Sequence, residues 1–235
     1  MTLRIDTVPN LDRPGVGAVL ASTWNVGTPE RQDAAVAAIT NTWTGQQSRP
    51  WPADGPVSYS VFKGTDGESL LHLSQWRELS DYDAFVARHR TERNSEIDDA
   101  VPGIQRLRLD KYELYRGASR DPDRVPGAIV TVEVEFDGPD PARQRAWIDT
   151  VFEALGSDPA PHPGGLSGHF HTSFDGTKVL NFAQWTSVED HIDALAAPGN
   201  GVGSSTPEWQ RVHSFPGVVG GGVRRWLPAV SLSAG

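Results

Sequence analysis

The chain has 235 residues, 37 % hydrophobic and 22 % charged, with eight Trp and eight Phe. That is enough bulk for a packed core in one large domain or two small ones, and it excludes a disordered or low-complexity chain. There is no cysteine and the net charge is −9, which excludes disulfide frameworks, thiolate metal sites and cysteine nucleophiles, and argues against a nucleic-acid partner.

The opening stretch, Met1-Thr2-Leu3-Arg4-Ile5-Asp6, carries no apolar run of signal-peptide length, and no later run is long enough to cross a bilayer. The expectation is a cytoplasmic protein with no membrane partner. Gly17-Ala18-Val19-Leu20-Ala21-Ser22 predicts a short apolar strand. Thr28-Pro29 reads as an N-cap followed by proline at the first helical position, and Ala35, Ile39 and Trp43 recur behind it at helical spacing. Residues 57–63 alternate as a strand does, Asp66-Gly67 marks a tight hairpin, and 69–76 makes the returning strand. Ser80 with Asp83 reads as a capping box for a second helix carrying Phe85 and Val86. After Pro102-Gly103, residues 105–115 alternate again, and the stretch 117–125, rich in Arg, Asp, Pro and Ser, reads as a linker.

Beyond the linker the same order returns. A strand over 128–136 precedes a helix opened by Asp140-Pro141 and carrying Trp147, Ile148, Val151, Phe152 and Leu155. Hairpin strands near 166–173 and 178–185, a helix from Ser187 and a last strand near 218–227 complete it. Residues 218–223 are glycine-rich but open no helix, so they read as a flexible turn or bulged strand and not as a phosphate cradle. Residues 55–88 aligned on 164–197 share nine identities in 34 positions, where ordinary composition gives roughly two or three. Among them are Asp66-Gly67 with Asp175-Gly176 and Gln75-Trp76 with Gln184-Trp185. The chain is therefore expected to be α+β, with two ferredoxin-like β-α-β-β-α-β units, 1–120 and 124–235, paired as a dimeric α+β barrel within one chain.

Side chains alternate across a strand. Leu180, Phe182 and Gln184 therefore share one face, and Asn181, Ala183 and Trp185 the other; the first copy sets Leu71, Leu73 and Gln75 against His72, Ser74 and Trp76. The leucine–phenylalanine face is expected to meet the helices. The opposite face is expected to gain Ser167, His169 and His171 from the neighbouring strand. Its small, polar and indole groups suit an enclosed pocket for an aromatic ligand. The alternative is a plugged interior whose polar groups are simply hydrogen-bonded. His169 and His171 lack a third ligand at fixed spacing, so no metal site is expected.

Three segments carry a more specific resemblance: Gly165-Leu166-Ser167, then His171-Thr172-Ser173-Phe174-Asp175-Gly176-Thr177, then Val179-Leu180-Asn181-Phe182-Ala183-Gln184-Trp185. They resemble the antibiotic biosynthesis monooxygenases, here in a tandem duplicated form. That family pairs ferredoxin-like units and oxidises anthrone-type polyketides to quinones without metal or flavin. Asn181 and Trp185 match its Asn and Trp, and His191 stands at its Tyr. The first copy keeps Trp76 and has Tyr82 at the Tyr position, with His72 in place of the Asn. The family's Arg falls near Arg93 in one copy and near Trp209 and Arg211 in the other.

The resemblance implies Asn181, Trp185, His191 and His171 as catalytic residues, and His72, Trp76, Tyr82 and His169 as substrate-binding ones. Asn181 and the Trp185 indole would donate to a developing oxyanion, and His191 or His171 would shuttle a proton. His89, His162 and His213 read as exposed or merely hydrogen-bonded. The implied partner is a small polycyclic aromatic, with molecular oxygen as co-substrate and no cofactor. Related haem-degrading enzymes carry a helix histidine shortly after the Trp, where this chain has Val86 and Leu195, which argues against haem. A polyketide cyclase on the same barrel and a non-catalytic aromatic-ligand-binding protein are the alternatives. A homodimer of the two-unit chain is also compatible with the duplication.

Overall fold

A computed structural model describes residues 3–44, 51–197, 199, 201–202 and 204–234. Met1 and Thr2 of the opening stretch lie outside them. The first repeat follows β1 (Leu3–Asp6) and runs β2 (Ala18–Asn25), α1 (Pro29–Thr44), β3 (Ser58–Gly64), β4 (Ser69–Trp76), α2 (Leu79–Phe85), a π-helical turn (Val86–Arg90), α3 (Thr91–Ala100) and β5 (Gln105–Ser119). The second runs β6 (Ala128–Phe136), α4 (Pro141–Gly156), β7 (Gly165–Ser173), β8 (Lys178–Trp185), α5 (Val188–Ala196), α6 (Pro207–His213) and β9 (Val218–Ala234). The strands lie in the order β3-β4-β2-β5 in one repeat and β7-β8-β6-β9 in the other. This is the same α+β arrangement twice, with antiparallel hairpins β3–β4 and β7–β8. Among the described residues no helix is long and apolar enough to cross a membrane.

The chain does divide into two compact units, but not into 1–120 and 124–235. One unit is Met1–Lys111 with Leu227–Gly235, and the other is Tyr112–Trp226. The physical reason is strand length. The sequence ends β5 near 115 and β9 near 227, yet both run on. Tyr112–Ser119 pairs with the edge strand β7, and Ser231–Ala234 pairs with β1 while Ser231 meets Ser60 of β3. An edge strand presents unpaired N–H and C=O groups, and each unit fills its β3-type edge with one of these extensions. Three residues of the expected linker, Gly117–Ser119, are therefore ladder residues.

Local signals place the elements. Asp140 accepts from the backbone N–H of Ala142 and Arg143, both at 3.0 Å, ahead of Pro141. Thr28 accepts from Arg31 at 3.3 Å and Ser187 from Asp190 at 3.0 Å. The expected capping box at Ser80 does not form: α2 starts two residues earlier, at Leu79 with Glu78 as N-cap, because Leu79 packs on the core, and the Ser80 hydroxyl instead donates to the Glu78 carboxylate at 3.2 Å. The glycine-rich stretch is a bulged strand. The β6–β9 register slips at Glu135/Phe136, and at Gly221 (φ +141°) an added Cβ would stand 2.1 Å from the Glu133 carbonyl.

Two further constraints recur in both units. A buried glutamine on the first helix clamps the hairpin: Gln32 donates to the carbonyls of Gly64 and Ser69 at 3.0 and 2.8 Å, and Gln144 to those of Ser173 and Lys178 at 3.3 and 2.5 Å. The glycine before the first strand approaches the chain just after the Trp, with Gly17 donating to the Trp76 carbonyl and Gly127 to that of Trp185, each at 3.0 Å. Removing a clamp strands buried carbonyls, and each such group costs roughly 1–3 kcal/mol. Gln32→Leu and Gln144→Leu are each expected to lower unfolding free energy by an amount in that range in urea titrations; unchanged midpoints would show that the clamps carry no stability.

Candidate functional site

The β7–β8 register decides which side chains share a face. Phe170 stands opposite Asn181, Gly168 opposite Ala183 and Gly165 opposite Trp185, whereas His169 faces Phe182 and His171 faces Leu180. Asn181, Ala183 and Trp185 therefore join Leu166, Gly168 and Phe170, not Ser167, His169 and His171. This face meets the helices: Ala183 and Trp185 pack with Ala194 of α5, and Phe170 and Val179 with Trp147, Ile148 and Val151 of α4. Leu180, Phe182 and Gln184 lie on the other side with the two histidines. The expected face assignment is thus inverted. The error came from ranking faces by hydrophobicity alone, since Leu180 and Phe182 are also fully buried.

A cavity of about 650 Å³ opens between this face and the helices of the second unit. That is within the usual ligand-pocket range of roughly 300–1,000 Å³. Its floor is Gly168 and Ala183, flanked by Asn181 and Trp185, and its roof includes Phe152 of α4 and Trp209 of α6. The segment 158–163 closes one side, where Arg120 holds the carbonyls of Pro161 and His162 at 3.2 and 2.9 Å. Asn181 Oδ1 is buried and accepts no hydrogen bond. No described residue accepts from the Trp185 indole either, because Ala183 stands where the first unit has Ser74. The cavity is thus mainly apolar, with an amide oxygen left unpaired on one wall and an indole N–H on the same wall.

The first unit has the same face but fills it. Trp24, Trp43, Tyr59, His72, Trp76 and Phe85 crowd the space, and the cavity is about 100 Å³. Trp76 donates to Ser74 at 2.8 Å and meets Tyr82 edge-on at 5.4 Å. His72 lies 4.0 Å from the Trp24 ring and 2.7 Å from the Tyr59 hydroxyl. The sequence thus groups His72, Trp76 and Tyr82 correctly, yet no polycyclic substrate fits among them. Arg93 is buried here over Trp43 at 4.4 Å. Arg211 is exposed and pairs with Glu153 at 3.2 Å, away from the second cavity.

The predicted histidines separate. His171 and His169 are buried on the far face, so neither reaches Asn181 or Trp185. His171 contacts the Leu180 carbonyl at 3.3 Å, and burial pushes its pKa down to about 4. His191 packs edge-on against Trp185, ring centroids 4.9 Å apart, but does not line the cavity. Burial, with the Arg225 guanidinium donating to its Nδ1 at 3.0 Å, also brings it to about 4. It orients the indole and is not poised to shuttle a proton. The histidine on the cavity wall is His162, expected to be merely exposed or hydrogen-bonded: it takes the Gly164 N–H on Nδ1 at 3.2 Å and lies 6.2 Å from Trp185. Its flanking prolines, Pro161 and Pro163, were the available signal. The sequence offers Phe152 as helix core and Trp209 as a neighbour of Arg211; only the packing shows that they roof a void.

His72 is held neutral too, near 3, by burial first and Arg106 second. All three depressed histidines favour the neutral form in the folded state. The stability they contribute is complete above the unfolded value near 6.5 and is lost as pH falls towards 4 and below. The thermal midpoint is expected to be flat above pH 7 and to fall between pH 6.5 and 4; a midpoint constant across that window would contradict the buried neutral assignment.

No protein-family model matches the chain. No curated protein matches it either. Solved structures do. An anthrone oxidase-like protein superposes with TM-score 0.66 at 19 % identity, covering 93 % of this chain and 94 % of its own. Two provisionally named monooxygenases follow. The one from Fusobacterium nucleatum gives TM-score 0.58 at 8 % identity over 95 % and 97 % of the two chains. The one from Lactobacillus acidophilus gives 0.56 at 9 % over 91 % and 95 %. At such identities the likeness is one of fold, and the chain shares, along nearly its whole length, the architecture of these monooxygenase-named proteins.

Proposed function

We propose that the second unit binds a polycyclic phenol or anthrone and oxidises it with O₂ to a quinone, as a cofactor-independent monooxygenase. The observation that carries this reading is the unpaired Asn181 amide oxygen together with the Trp185 indole on one wall of an apolar cavity of about 650 Å³. Four residues of strand separate them by roughly 13 Å at about 3.3 Å per residue. That separation suits two edges of a three-ring ligand lying on the Gly168–Ala183 floor. The kinship in fold with an anthrone oxidase-like protein supports the same substrate class.

The chemistry is balanced without a cofactor. The substrate loses a proton, and the anion transfers one electron to O₂. The resulting radical and superoxide combine to a peroxide at the ring carbon. Loss of the remaining C–H proton breaks the O–O bond, leaving one oxygen atom as the quinone carbonyl and releasing the other as water. Asn181 stabilises the phenolate by donating from its amide nitrogen, and Trp185 holds the ring and donates at its edge. Phe152, Phe170 and Trp209 keep water from the anion. Asp158 and His162 stand on the same wall, where a proton can leave for solvent.

Oxygen uptake with an anthrone, without added metal or flavin, is the direct test, with quinone formation followed by absorbance. Asn181→Ala is expected to slow turnover on the order of a hundredfold, the usual effect of losing one oxyanion donor. Ala183→Leu fills the floor and is expected to raise KM at least tenfold while leaving the circular dichroism spectrum unchanged. Ligand binding without oxygen uptake would make this unit a binding module, and full activity in folded Asn181→Ala would remove the amide from the mechanism.

A further inference from the structure

Two residues that line the small cavity of the first unit, His72 and Arg106, carry N–H groups with nothing to donate to. His72 is 3 % exposed, and its Nε2 is buried without a partner. Its Nδ1 lies 2.7 Å from the Tyr59 hydroxyl, which has no other partner among the described residues. The hydroxyl therefore donates to Nδ1, and the hydrogen of the neutral ring sits on Nε2. Arg106 supplies the second group. Its two terminal nitrogens grip the Asp98 carboxylate at 3.2 and 2.9 Å, while its Nε is buried without a partner. Both groups flank one indole: the Arg106 guanidinium lies 4.5 Å from the Trp24 ring centroid and the His72 ring 4.0 Å.

Charge and size narrow what fits between them. Arg90, Arg93 and Arg106 line the cavity, and no Asp or Glu does. The other walls are aromatic and aliphatic, with Ser22, Ser74 and Asn94 as neutral polar groups. A volume of about 100 Å³ is the space of roughly three water molecules at about 30 Å³ each, which admits three or four heavy atoms and excludes a polycyclic ring. Buried donors in native proteins are nearly always paired, so two unpaired ones on residues that line one positively charged cavity point to an absent acceptor. We propose that the first unit binds a small planar oxyanion, of the formate and bicarbonate class, between His72 Nε2 and Arg106 Nε. This site is separate from the oxidation assigned to the second unit and does not rest on it.

The test is a titration of the full-length, isotope-labelled chain with sodium formate, against sodium chloride at matched ionic strength. The His72 ring and Trp24 indole signals are followed by NMR. Both are expected to shift saturably with formate while the Trp185 indole stays in place. His72→Phe, which keeps the bulk but removes the donor, is expected to weaken binding at least tenfold, and His72→Gln, which keeps an N–H, to weaken it less. If His72→Phe does not fold, Tyr59→Phe replaces it, because losing the hydroxyl frees the ring hydrogen from Nε2; the expectation is again weaker binding. Shifts that do not saturate, that chloride reproduces, or that persist unchanged in the folded variants would overturn the proposal and leave a cavity that holds only water. An anthrone that fails to consume oxygen would count against the second unit's reading and leave this titration unaffected.

Discussion

The pairing of Phe170 with Asn181 and Gly168 with Ala183 is the constraint on which the second unit's cavity rests. Strand side chains alternate with a period of two, so a slip of one residue would send Asn181 and Trp185 to the face that now carries His169 and His171. The register is held at both ends. At the hairpin, Asp175-Gly176 turns the chain with Gly176 at φ +76°, and Gln144 clamps the carbonyls of Ser173 and Lys178. At the other end, Gly127 donates to the Trp185 carbonyl at 3.0 Å. The first unit uses the same devices, Gly67, Gln32 and Gly17, so the scaffold is duplicated together with its locks.

On this common frame the two units have spent their helix-facing surface differently. One fills it with Trp24, Trp43, Tyr59 and Phe85 and gains a dense aromatic core; a buried aromatic of this kind stabilises by several times RT. The other keeps glycine and alanine on the floor and tolerates a void, forgoing the contacts that would fill it. A void of this size, lined by an unsatisfied amide, is destabilising by itself. The other copy of the same frame, with about 100 Å³ against about 650 Å³, does not carry that cost.

Much of this was legible in the sequence. Turn and cap chemistry located the hairpins and three of the helix starts, because Asp-Gly, Thr-Pro, Asp-Pro and Ser with Asp act within a few residues of themselves. Asn181 and Trp185 were singled out by the resemblance of their strand to a family motif, and both line the second unit's cavity. What failed was non-local. The face assignment needed the pairing partner of Asn181, which no single strand reveals, and the unit boundaries needed to know that β5 and β9 continue to pair beyond their own repeat. The roles of His162, Phe152 and Trp209 depend on a void, and a void has no residue of its own to read. His191 packs against Trp185, but its burial, and after that Arg225, distant in sequence, lower its pKa.

The segment that closes the second cavity alternates Pro159, Pro161 and Pro163, and Arg120 pins two of its carbonyls. Proline fixes one backbone dihedral per residue, so this wall has little conformational freedom to surrender when a ligand arrives. Ordering a mobile lid subtracts from affinity, whereas a wall already in place leaves the contact energy to appear as binding. The opposing consequence is kinetic: a rim fixed by alternating prolines and pinned by Arg120 offers little loop motion through which the cavity could open on that side.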